Sequence, residues 1–191
     1  MRIADCDILL MAGAHSEPDH WMARWGSRLP NARRVPAAPN GGDLARSTAN
    51  LVALAESATR PIVVIAHSCG VLHTVKAAPW VSRAIRAAFL VGPVDPDSPA
   101  GAALCNDASP MPLDRLSFPS ILVASRTDPH CSFGRAESFA SAWQSLLIDA
   151  GDAGHLDSQS GRGPWPEGLL LLSRLLRNIP SDPLAPNALP A

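Results

Sequence analysis

Three short segments carry side chains that together could perform acyl transfer. They are Ser68 in Ala66-His67-Ser68-Cys69-Gly70, Asp128 after Arg126-Thr127, and His155 in Gly151-Asp152-Ala153-Gly154-His155. A serine hydroxyl is a weak nucleophile until a base takes its proton, and a neutral imidazole can take that proton and return it to a leaving group. The imidazole in turn needs a carboxylate behind its other ring nitrogen to hold the tautomer. The chain order serine, aspartate, histidine suits Ser68 as nucleophile, Asp128 as acid and His155 as base. Asp95 is a second candidate acid, and Asp152 or Asp157 reads as a loop-capping residue beside His155.

The apolar run Pro61–His67 leads straight into Ser68 and then into a helix-like stretch from Val71 to Ala78, the strand-turn-helix context of a nucleophile elbow. A sharp turn there exposes the hydroxyl above a sheet, and the backbone N–H of Cys69 faces a developing oxyanion. Ala66 and Gly70 are the small residues such a turn requires, although Ala66 departs from the commoner G-x-S-x-G. A second oxyanion donor is expected from the loop after the first strand, at the N–H of Ala14 or His15. Cys69 contributes backbone rather than a thiol nucleophile, and His67 reads as a packed histidine beneath the turn. Ser16 to Trp21 reads as a helix start with Ser16 as N-cap and Pro18 in the first turn. Neighbouring residues on a helix point apart, so His15, Asp19 and His20 are not expected to hold a metal. No cofactor is expected either, because no G-x-G-x-x-G follows the first strand.

These loops need a scaffold that brings them to one edge. Apolar runs at 7–13, 61–67, 87–93, 120–126 and 145–150 have the continuous Val/Ile/Leu character of strands buried on both faces, and a weaker run at Ala32–Val35 adds an edge strand. Helical patterns lie between and after them, at Asp43–Ser57, Arg135–Ser145 and Trp165–Asn178. The alternation predicts an α/β three-layer sandwich of about six mostly parallel strands, with its crevice at the carboxyl ends of the strands. Val94–Pro119 reads as a pocket-lining loop too short for a cap domain. Gly161–Pro166 reads as a turn and helix start braced by Trp165, holding the His155 loop. One domain over 1–179 and a Pro-rich tail over 180–191 are expected.

The chain has 191 residues, 47% hydrophobic and 17% charged, enough apolar content for a sizeable core. Sixteen basic and seventeen acidic residues give a net charge of -1, which argues against a phosphate-driven nucleic-acid binder. No run is long enough to span a membrane, and Asp5 and Asp7 do not suit a secretory signal, so a cytoplasmic location is expected. Cys6, Cys69, Cys105 and Cys131 lack paired spacing, and reduced thiols are therefore expected.

The segments ILLMAGAHSEPDHW, VIAHSCG, VASRTDPHCSFGRAESFASAW and above all AGHLDSQSGRGPWPEG resemble the small capless α/β-hydrolase-fold serine hydrolases that include retinoblastoma-binding protein nine and the YdeN-type proteins. The resemblance implies a Ser68, Asp128, His155 triad, strand order 2-1-3-4-5-6 and no lid domain. It also implies hydrolysis of a small ester, or of an amide or thioester. Retinoblastoma association is not carried over, because an L-x-C-x-E motif is absent. The sequence names no protein partner. The alternative is a non-catalytic binding module on the same scaffold.

Overall fold

The computed structural model describes residues 1–13, 18–36, 44–81, 83–105 and 110–179. Strands β1 (Asp7–Met11), β2 (Ala32–Arg34), β3 (Ile62–Ser68), β4 (Ile85–Pro93), β5 (Ser120–Ala124) and β6 (Leu146–Asp149) form one sheet in the order β2-β1-β3-β4-β5-β6. Every pairing is parallel. All residues of β3 and β4 are buried, which explains their unbroken apolar runs, while the edge strands β2 and β6 keep exposed positions.

Side chains alternate across β3. Ile62, Val64 and Ala66 join the core under α2 (Leu44–Glu56), α3 (Cys69–Val81) and α5 (Phe133–Trp143). Val63 and Ile65 join the opposite core, under α1 (Trp21–Gly26) and α6 (Pro166–Arg177). That second core is aromatic: Trp165 stacks on Trp25 at 5.7 Å and meets Trp21 edge-on at 5.0 Å. Among the described residues no helix is long and apolar enough to cross a membrane.

Three expectations need correction. Helix α1 begins at Trp21 with His20 as its N-cap, the ring Nδ1 accepting from the Met22 N–H at 3.1 Å. Pro18 therefore precedes the helix, and Ser16 lies outside the described residues. The segment after β4 is not all loop: Ser98 caps a short α4 (Pro99–Leu104), accepting from the Gly101 N–H. That helix brings Cys105 to Cys69, with Cα atoms 5.9 Å apart, and the two form a disulfide, so only Cys6 and Cys131 carry the expected thiols. The tail 180–191 lies outside the described residues.

Candidate active site

Strand β3 ends in a register break between His67 and Ser68, and Ser68 takes φ +59° before α3 begins at Cys69. A side chain in the left-handed region costs about 1 kcal/mol or more, and the surrounding sheet and helix must hold it there. Gly70 is what lets the turn close: a Cβ at that position would lie on the Met11 carbonyl oxygen of β1. Gly13, just past β1, runs against the nucleophile, where a Cβ would stand 3.1 Å from Ser68 Oγ. Ala14 and His15, expected to supply the second oxyanion donor, lie outside the described residues.

His155 reaches Ser68 from the loop after β6. Its Nε2 is 3.0 Å from Ser68 Oγ. Its Nδ1 is 3.0 Å from both oxygens of Asp128, which sits just past the end of β5. Ser68 and His155 are buried, and the Asp128 side chain is almost wholly so. A carboxylate only accepts, so Nδ1 carries the proton and Nε2 presents its lone pair to the serine hydroxyl. Asp95 faces elsewhere, its carboxylate pairing with Arg135 at 3.2 Å. Asp157 caps the loop by accepting from the N–H and hydroxyl of Ser160. Cys69 is tied to Cys105 and has no free thiol.

Several supports of this site are not legible in the sequence. The Asp128 and His155 loops are pinned to each other, since Ser125 Oγ accepts from the Ala153 N–H at 2.9 Å and Thr127 Oγ1 from the Gly154 N–H at 3.1 Å. Ser160 Oγ accepts from the His155 N–H at 3.0 Å. Small hydroxyl residues flanking both acid and base were the available signal. His130 stands edge-on to the His155 ring at 4.6 Å. Burial, with the neighbouring His155 ring second, lowers the His130 pKa.

Beneath the site, burial pushes the His67 pKa down to about 3, with the His155 ring adding to the shift, and burial pushes His20 down to about 4. Trp165 is buried with φ +46° ahead of Pro166, and Trp25 Nε1 donates to the Pro164 carbonyl at 3.2 Å. The expected helix start at Trp165 is therefore present, its ring packed on those of α1. Gly168 makes room for it, because a Cβ there would run into the Trp165 ring.

A family model described as serine hydrolase matches residues 8–174. The chain is 31% identical to a YdeN-like hydrolase from Pectobacterium atrosepticum, with a TM-score of 0.81 over 92% of this chain and 93% of that one. The ydeN gene product of B. subtilis matches at 16% identity and a TM-score of 0.75, over 90% of this chain and 98% of its own. A carboxylesterase from Bacillus cereus shares the fold at 16% identity and a TM-score of 0.62, over 92% and 90% of the two chains. No curated protein matches the chain in sequence.

Proposed function

The chain belongs to the serine hydrolase family and is a small α/β hydrolase of the YdeN type, and from that premise we propose that it cleaves small carboxylic esters through an acyl-Ser68 intermediate. The observation that carries this reading is the unbroken relay from Ser68 Oγ through His155 to Asp128, each link at 3.0 Å. The esterase fold of the Bacillus cereus protein is in keeping with it.

In this mechanism Ser68 Oγ forms a bond to the ester carbonyl carbon while its proton passes to His155 Nε2. Asp128 stabilises the imidazolium without taking the proton. The carbonyl oxygen, now an oxyanion, accepts from the Cys69 N–H and from an N–H of Ala14 or His15. Collapse of the tetrahedral species breaks the ester C–O bond, and the leaving alkoxide departs as alcohol with the proton from Nε2. Water then gives a proton to Nε2 and adds to the acyl carbon. Breaking the Ser68 ester bond returns that proton to Oγ and releases the carboxylic acid.

A fluorophosphonate probe labels the wild type in this reading, and Ser68→Ala abolishes both labelling and hydrolysis of an acyl-chain-length panel of p-nitrophenyl esters while the melting curve stays close to wild type. A folded wild type that takes no label and turns over no ester would leave the scaffold as a binding module instead.

A further inference from the structure

His67 lies one residue before the proposed nucleophile, and its placement has no part in the proton relay. By the alternation of β3 it projects into the aromatic core beneath α1 and α6, where an imidazole is out of character with its neighbours. It is buried, 4.8 Å from the His20 ring, 5.8 Å from Trp21 and 4.9 Å from the His155 ring. Its Nε2 stands 2.9 Å from the backbone carbonyl oxygen of His155. A carbonyl only accepts, so the Nε2 of His67 carries the proton and donates it.

Two further features converge on the same point. Gly92, at φ +51° near the end of β4, leaves open the space where donor and acceptor meet: a Cβ there would lie 3.0 Å from the His155 carbonyl oxygen and 3.4 Å from His67 Nε2. The next carbonyl, that of Leu156, accepts from Trp21 Nε1 at 2.8 Å, also buried. Gly154 and Leu156 on either side of His155 both have positive φ, +55° and +57°. A loop with this backbone has no ladder to hold it, and two buried donors clamp its successive carbonyls instead.

We propose that His67 is a positioning residue for the hydrolase reaction, its Nε2–H holding the His155 backbone, in the space Gly92 leaves, so that the imidazole meets Ser68 and Asp128 together. The proposal deepens the esterase reading and rests on it for its kinetic consequence. Its geometric consequence stands apart from turnover, because the His155–Asp128 hydrogen bond depends on the loop whether or not an ester is cleaved.

The test compares His67→Phe, which fills the site without a donor, His67→Gln, whose amide N–H reaches the same carbonyl, and Gly92→Ala, which keeps His67 but crowds the bond. In His67→Phe, kcat for a p-nitrophenyl ester falls about 10- to 100-fold, the range for a catalytic group displaced by its support, while KM stays within about threefold. His67→Gln recovers most of the loss. Gly92→Ala repeats it and decides the matter if the phenylalanine variant does not fold. Solvent exchange of the His155 Nδ1 proton, followed by NMR, speeds up at least about tenfold in His67→Phe as its bond to Asp128 loosens. Folded His67→Phe or Gly92→Ala protein with wild-type kcat and wild-type Nδ1 exchange would overturn the role. A wild type that turns over no ester would overturn the esterase reading, and the exchange measurement would still decide whether His67 holds His155.

Discussion

The two halves of the site are built by opposite means. Ser68 is carried on the join of a buried central strand and a thirteen-residue helix, Cys69–Val81, so regular backbone hydrogen bonds fix it on both sides. His155 sits in a loop without helix or strand, and single side-chain bonds hold it: Thr127 on the preceding residue, Ser160 of the same loop and His67 on its own backbone, and Trp21 on the residue after. A turn between regular elements is as rigid as those elements, whereas a loop held by single donors is as rigid as each donor. Damage to the supports of the elbow, as distinct from Ser68 itself, should therefore register mainly as lost stability. Damage to the histidine side should register mainly as lost rate.

The largest expected effect on the elbow side comes from its covalent tie. The Cys69–Cys105 bond closes a 36-residue separation, and loop entropy alone makes its removal worth about 4 kcal/mol of unfolding free energy. Cys105→Ala should shift the urea midpoint accordingly. The N–H of Cys69 is set by backbone that β3 and α3 still hold, so kcat should stay within about threefold of wild type. A variant of unchanged stability and sharply reduced kcat would invert the comparison, and would make the disulfide a device for aligning the oxyanion donor.

The same contrast explains what could be read from the sequence. The strands announced themselves by apolar runs, and their ends located Ser68, Asp128 and His155, because in a parallel sheet the loops after strands share one edge. Ser68 was the most legible, its strand, turn and helix all being local patterns. What held His155 was not, since a histidine in a strand or a serine in a loop looks like ordinary packing until the distant carbonyl or N–H it serves is known. The disulfide escaped for the same reason: α4 is six residues long and weakly apolar, and nothing local joins Cys105 to Cys69. Ser98-Pro99, an N-cap followed by proline in the first helical position, was the available cue for that helix.

An intermediate effect belongs to the buried layer between the two halves. In the folded protein burial first, and the His155 ring second, holds the His67 pKa at about 3, against about 6.5 in an unfolded chain. Below pH 6.5 the unfolded chain takes a proton that folded His67 refuses, so stability falls as pH falls, by up to about 1.4 kcal/mol per unit until about pH 3. Between pH 6.5 and 5 this amounts to about 2 kcal/mol. His20, lowered chiefly by burial to about 4, adds in the same direction. Urea midpoints of wild type and His67→Phe across this window measure the difference, and the variant should show the shallower loss. Equal slopes would remove His67 from the acid sensitivity of the fold.

The smallest effect on stability, and the sharpest separation of stability from rate, should come from Ser160→Ala. The substitution deletes the acceptor of the His155 N–H and one of the two bonds that Ser160 donates to Asp157. Losing such a bond in a half-buried loop costs about 1 kcal/mol, little beside the disulfide. The N–H it frees belongs to the residue that must meet Ser68 and Asp128 within hydrogen-bond reach, so kcat should drop about tenfold with KM nearly unchanged. If kcat instead holds while stability falls by the expected amount, the carbonyl side of the loop alone orients the imidazole. His67 and Trp21 would then carry the whole task, and the double variant Ser160→Ala, His67→Gln should still turn over near the rate of His67→Gln.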